Sequence, residues 1–216
     1  MPVAIRALAP VRRSVRSLPP PGEGVKERMD RPSPAVQDYL KAIYRLDESA
    51  AAPGPVTTTQ VADALAVTTA SASNMLKKLD SLGYVVHVKR QGVALTDSGR
   101  QAALEVIRRH RLLETFLATR LGMSWDEVHR EAEVLEHHVS GALADRIAEA
   151  LGHPERDPHG HPIPTSGGQV APVSGCRLTE LGDGSCAVVA RVDDQDDALL
   201  RLLAERGLVP DARIEV

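Results

Sequence analysis

Aromatic side chains are scarce here: one Trp, one Phe and three Tyr in 216 residues. The balance is otherwise that of an ordinary soluble globular chain, long enough for two or three small domains with modest cores. Cysteine is nearly absent too. Cys176 and Cys186 match no zinc-ligand spacing and suggest no disulfide framework. They read as small buried thiols in a reducing cytosol. No apolar run is long enough to span a membrane. Strong basic character is also lacking, since 26 Lys and Arg against 29 Asp and Glu give a net charge of −3. That removes a global signal for nucleic acid but leaves room for a local basic patch.

Acids are missing from the first stretch, where none precedes Glu23. Residues 1–32, rich in Arg and Pro, read as a disordered tail, with Met29 as an alternative start. Residues 33–46 then form a helix with Val36, Tyr39, Leu40 and Ile43 on its core face and Asp38 on the far side. A short helix over 57–67 is expected to start at Thr58 or Thr59, with Val61, Ala62 and Leu65 inward. Another over 68–83 turns Ala72, Leu76, Leu79 and Leu82 inward and ends at Gly83. Residues 84–96 read as a hairpin turning at Arg90-Gln91-Gly92.

Helix, short helix, helix and basic hairpin make the pattern of a winged helix-turn-helix over 33–96. The third helix offers Thr68, Ser71, Ser73 and Asn74 to bases or phosphates. Lys77, Lys78, Lys89 and Arg90 can neutralise phosphates. A winged helix that binds protein instead is the competing reading. The small polar tip and the basic wing favour DNA.

Residues 97–152 read as a helical domain. A long helix over 96–122 carries His110 and Glu114 one turn apart, and a last helix covers 141–152. Between them, "WDEVHREAEVLEHHVS" over 125–140 places Val128, Ala132, Leu135 and Val139 on one apolar stripe. His129, Glu133, Glu136 and His137 form a second stripe beside it. Taken alone, such a stripe is a solvated charged face. With Asp38, His110 and Glu114 it becomes a set of metal-ligand residue types drawn from three helices. Carboxylates and imidazoles without sulfur suit Mn²⁺ or Fe²⁺ better than Zn²⁺ or Cu⁺. Residues 153–174 read as a Pro/Gly linker whose histidines are merely polar. Residues 175–216 read as a small β-rich module, with strands in "GCRLTEL", "SCAVVARV" and "ARIEV" and a helix in "DDALLRLLAERGL"; the strand pattern at Val216 is early for a closed barrel.

The order "VQDYLKAIYRL", helix-turn-helix, "LTDSGR", "RRHRLLETFL", "WDEVHREAEVLEHHVS", "DPHGHPIP" resembles the diphtheria toxin repressor family of metal-dependent repressors, from about residue 34 onward. The resemblance implies a mainly α fold: a winged DNA-binding domain, a helical dimerisation and metal domain, and a small SH3-like (FeoA-like) module. It implies Asp38, Glu133, Glu136 and His137 at a regulatory site, and His110, Glu114 and His129 at an ancillary one. Asp38 and Glu133 stand where the iron branch has Met and Cys, so the chain is similar to the manganese branch. Two departures stand out. Lys41 replaces the acid that short manganese regulators carry one turn after the aspartate. Asp193, Asp194 and Gln195 lie near where a third domain would add ancillary ligands, in a loose alignment.

The expected function is a cytoplasmic, manganese-dependent repressor, a homodimer bound to double-stranded palindromic operator DNA, not an enzyme. Alternatives are an iron-dependent repressor of the same family and a helical di-metal carboxylate enzyme. The enzyme needs two Glu-x-x-His motifs and further glutamates. Only one related cluster, Glu133-x-x-Glu136-His137, is present.

Overall fold

A computed structural model of the chain describes residues 31–49, 54–172, 175–193 and 196–216. The expected N-terminal tail, apart from residues 31 and 32, and its Met29 lie outside the described residues, as do Asp194 and Gln195. Helix α1 (Pro34–Ser49) opens with Pro at its first position, where a missing N–H costs nothing. It buries Val36, Tyr39, Leu40 and Ile43. α2 (Thr58–Ala64) starts one residue earlier than expected. Thr57 is its N-cap because Gln60 reciprocates, accepting from Thr57 N at 2.9 Å while Thr57 accepts from Gln60 N at 3.2 Å. α3 (Thr69–Ser81) buries Ala72, Leu76 and Leu79. Leu82, expected inward, is 52% exposed because it caps the helix where the chain leaves for Gly83.

Strands β1 (Val85–Val88) and β2 (Gly92–Leu95) pair antiparallel from Val85↔Leu95 to Val88↔Gly92. Gly92 opens β2 instead of lying in the turn. Val56 bridges Val93 through two backbone bonds of 2.8 and 2.9 Å, making a short third edge to the wing. That approach puts a Cβ built on Gly92 2.1 Å from the Val56 carbonyl oxygen, so only glycine fits, at φ +130°.

α4 (Asp97–Leu121) runs from a Thr96 cap to left-handed Gly122 and joins two apolar clusters. The first contains α1–α3, the wing, and Ala103, Leu104 and Ile107 of α4. The second contains Leu112 and Leu113 of α4, Ala132 and Val139 around α5 (Trp125–Leu135), Ala144, Ile147 and Ala148 of α6 (Gly141–Leu151), and Ile163. Between the clusters α4 carries a buried polar band of Arg109, His110, Arg111 and Glu114. An interior surface of this kind needs partners.

Two expectations change here. α5 ends at Leu135, and Glu136, His137 and His138 lie in the following turn. His138 N and Val139 N both return to Leu135 O, at 2.9 and 3.2 Å, so that Val139 enters the core and Ser140 can cap α6. Leu135, at that break, is exposed instead of buried. Residues 155–163, expected as part of a linker, pack into the helical unit through Ile163, Asp157 and His159.

The β-rich unit that follows contains β3 (Cys186–Val188) antiparallel to β4 (Arg213–Glu215), with α7 (Asp197–Glu205) between them in sequence. Residues 175–181 form no strand; Leu178–Glu180 is a 3₁₀ turn. Cys176 and Cys186 are exposed, not buried. Leu200 of α7 is fully buried where α7 packs against α5. The class is mainly α, with a winged helix-turn-helix, a helical unit and an SH3-like β-rich unit. Among the described residues no helix is long and apolar enough to cross a membrane.

Candidate metal centre and nucleic-acid interface

The buried polar band of α4 meets α1 and the turn after α5. Asp38, on the α1 face away from the apolar core, points its carboxylate at His137, with Oδ1 3.0 Å from Nε2. Asp38, Glu136 and His137 form one group whose ligand-type atoms all lie within 4.8 Å of one another. His110, Glu133 and Glu136 form a second such group, and Glu136 belongs to both. Glu133 therefore joins the centre from the His110 side.

The second group already encloses a cation. The Lys41 ammonium, buried on α1, donates to Glu133 Oε1 at 2.7 Å and to both Glu136 oxygens at 2.9 and 3.0 Å. His110 Nδ1 donates to Glu136 Oε2 at 2.6 Å. Lys41 Nζ stands 3.3 Å from that same nitrogen. With both groups donating to Glu136, this contact is repulsive, and the shared carboxylate offsets it. Burial disfavours the Glu136 anion, but hydrogen bonds and charge from His110 and Lys41 prevail and hold its pKa at about 2. Burial works the same way on Glu133, whose pKa Lys41 and His110 nevertheless lower. The Asp38 pKa is raised, chiefly by burial, with Glu136 and Glu133 adding to it and His137 and Lys41 opposing.

A further cluster lies on the other side of His110. Glu114 Oε1 is 2.9 Å from His110 Nε2 and 3.0 Å from His129 Nδ1. His110, Glu114 and His129 group within ligand distance, and so do Glu114, Asp157 and His159. Asp157 and His159 are not among the candidates read from the sequence, where their segment is a Pro/Gly linker with merely polar histidines. The loop is ordered by Asp157 itself, whose Oδ1 accepts from His159 N and His161 N, both at 2.9 Å. His159 Nε2 donates to the Trp125 carbonyl at 3.0 Å, which directs Nδ1 toward Glu114. Glu114 Oε2, Asp157 Oδ2 and His159 Nδ1 are buried without a hydrogen-bond partner. Asp157 Oδ2 has Arg111 Nε at 3.5 Å and His161 Nδ1 at 3.6 Å as ionic neighbours. One ligand-type atom from each of the three residues lies within 4.8 Å of the others, and buried polar atoms left unpaired in such a group suit a cation. Asp193, a candidate from the last unit, is exposed and lines the same cleft as His129 and Glu133, of about 910 Å³.

The nucleic-acid face expected from the sequence is separate. Thr68, Ser71, Asn74, Lys77 and Lys78 are exposed along α3, and Ser73 is half-buried. Thr68 Oγ1 is occupied as the N-cap, accepting from Ser71 N and donating to Ser71 Oγ at 2.9 Å. Asn74 makes no such local bond. Lys89 and Arg90 are exposed at the wing tip, where Arg90 takes φ +64°.

Family models match three consecutive stretches. Residues 33–93 match the iron dependent repressor N-terminal DNA binding domain, and residues 96–165 match its metal binding and dimerisation domain. Residues 176–216 match the FeoA domain. The transcriptional regulator MntR of Geobacillus kaustophilus is 36% identical over 126 residues, 58% of this chain and 86% of that protein. The chain belongs to the iron-dependent repressor family. MntR of Bacillus subtilis is 34% identical over 58% of the chain and 85% of its own length. Among solved structures, a manganese-dependent transcriptional repressor in complex with manganese is 48% identical, with a TM-score of 0.78 over 84% of this chain and 82% of that one. ScaR with bound Zn²⁺ is 33% identical, with a TM-score of 0.73 over 83% and 82%. These relatives are named as transcriptional regulators or repressors.

Two outcomes follow for the metal-free protein. Lys41→Met leaves Glu136 buried without its ammonium, so unfolding by denaturant in chelator should show a loss of about 3 kcal/mol. His159 titrates in the second test. Burial disfavours its charged form, but Glu114, Asp157 and the Trp125 carbonyl raise its pKa from 6.5 to about 9. A raised histidine pKa stabilises fully below 6.5, and that contribution is lost as pH rises to about 9. The melting temperature in chelator should therefore fall across this window, and His159→Gln should flatten the slope.

Proposed function

We propose that this chain is a manganese-dependent, DNA-binding transcriptional repressor that controls metal-ion homeostasis and works as a homodimer in the cytoplasm. The carrying observation is the meeting of Asp38 from α1 with Glu136 and His137 from the turn after α5. α1 belongs to the stretch matching the DNA-binding domain, and the turn to the stretch matching the metal and dimerisation domain. A divalent cation held by Asp38, Glu136 and His137, with Glu133 beside them, supplies a charge that both domains share. Oxygen donors with one imidazole and no sulfur suit Mn²⁺, with Fe²⁺ as the alternative. The names of the relatives in the preceding section support manganese.

The chain's own residues do the coupling. Asp38 ties α1 to the turn, while Lys41 neutralises Glu133 and Glu136 beside it and so stands in for a second cation. His110, Glu114 and His129, joined by Asp157 and His159, make the ancillary site. Leu121, Val134, Leu135 and Leu143 are exposed around α4–α6, an apolar surface suited to a second copy. In the dimer the two α3 helices must stand about 34 Å apart to enter successive major grooves. We assign residues 33–96 to DNA binding, 97–152 with the packed 153–165 loop to metal binding and dimerisation, and 175–216 to the FeoA-like module.

The deciding experiment is operator binding titrated against buffered Mn²⁺, Fe²⁺ and Zn²⁺. Mn²⁺ should activate the wild type strongly and Asp38→Ala hardly at all. An Asp38→Ala protein with a full Mn²⁺ response would overturn the coupling. On the DNA face, Asn74→Ala should relax sequence preference. Lys89→Ala or Arg90→Ala should instead weaken all sequences alike and reduce the salt slope by about one. Competition against scrambled operators at several salt concentrations separates these effects.

A further inference from the structure

His137 is gripped on both ring nitrogens by neighbouring residues of α1. Asp38 faces Nε2, and Gln37 faces Nδ1, with its Oε1 3.1 Å away. Gln37 is buried, and its amide can be oriented in one way only. Its Nε2 donates to the Pro32 carbonyl at 2.6 Å, and its Oε1 accepts from Arg109 Nη2 at 3.2 Å. Reversing the amide would set oxygen against the Pro32 carbonyl and NH₂ against a guanidinium that only donates. Arg109 is itself held, its Nε donating to the Glu136 carbonyl at 3.0 Å. Gln37 Oε1 is thus an acceptor, and the group facing it must be a donor.

We propose that Gln37 is a positioning residue for the regulatory site, keeping the hydrogen of His137 on Nδ1 and presenting the Nε2 lone pair to the ion beside Asp38. The inference rests on the assignment of Asp38, Glu136 and His137 as that site. The arrangement is one that metal-ligating histidines generally need, in which a second group holds the ring nitrogen away from the metal and sets the tautomer. Here the holder comes from α1, the helix that also carries Asp38. Once an ion takes Nε2 from Asp38's hydrogen bond, Gln37 is the acceptor left for the ring, and α1 thereby holds the imidazole in its ligating orientation.

The test uses the full chain labelled with ¹⁵N-histidine. With Zn²⁺ bound as a diamagnetic probe in place of the Asp38–Nε2 hydrogen bond, long-range ¹H–¹⁵N correlation should show the His137 hydrogen on Nδ1. A wild-type ring with its hydrogen on Nε2 overturns the proposal, and this measurement needs no variant to fold. Gln37→Leu should mix the tautomers and weaken Mn²⁺ binding, followed by calorimetry, by about 10–100-fold. Gln37→Glu keeps the acceptor toward His137 but loses the donor to the Pro32 carbonyl, so it should restore the tautomer and only part of the affinity. A Gln37→Leu protein that is folded by circular dichroism and binds Mn²⁺ like the wild type overturns the proposal while the site stands. If Asp38→Ala leaves Mn²⁺ binding unchanged, the site assignment fails instead, and the tautomer measurement still decides the role of Gln37.

Discussion

A single buried carboxylate, that of Glu136, holds the centre of this molecule together. Its side chain is fully buried and takes hydrogen bonds from Lys41 of α1 and His110 of α4, while its backbone carbonyl takes one from Arg109. A charge removed from water this far is stable only if its partners are well placed. The partners come from two helices far apart in sequence, so the charge cannot be satisfied until α1, α4 and the turn after α5 are all in position. The two apolar clusters on either side supply the burial, and the polar band between them supplies the specificity.

This arrangement changes what a regulatory ion has to do. Three acids, Asp38, Glu133 and Glu136, with no counter-charge would drive α1 away from the helical unit. Lys41 removes much of that repulsion, and Gln37 adds a neutral bond between α1 and His137. The two units are thus in contact through protein groups alone. In the proposed function, the ion's effect then concentrates on Asp38, the acid whose pKa burial and the neighbouring glutamates raise.

The C-terminal unit has a structural part in the second cluster. His159 is held from behind by its loop and from outside by the stretch before α7. Val192 N donates to the His159 carbonyl at 3.0 Å. A Cβ on Gly160, at φ +90°, would lie 2.2 Å from the Ala190 carbonyl oxygen. The backbone of the last unit therefore reaches the loop closely enough to require glycine there, and its seating bears on where Asp157 and His159 stand.

Local pattern carried most of the helices, the hairpin and the acid-and-histidine stripe, because 3.6-residue periodicity, capping residues and turn residues act over a few positions. The metal-ligand residue types of α1, α4 and α5 were legible on the same terms, and the family resemblance grouped them. Their division was not legible. That Glu133 faces His110 and Lys41 while Glu136 is shared depends on how α1 crosses α4, which no short window of sequence encodes. Asp157 and His159 escaped notice because their Pro- and Gly-flanked segment has no periodicity. Its order comes from one Asx turn and from burial against Trp125 and Glu114. Lys41 read as a mere departure from an acidic position, since its role exists only where two distant glutamates converge on it. Sequence by itself determined which residues could bear charge, ligate or bury; tertiary packing alone decided which of them share one desolvated site, because that depends on contacts between residues 26 to 100 positions apart.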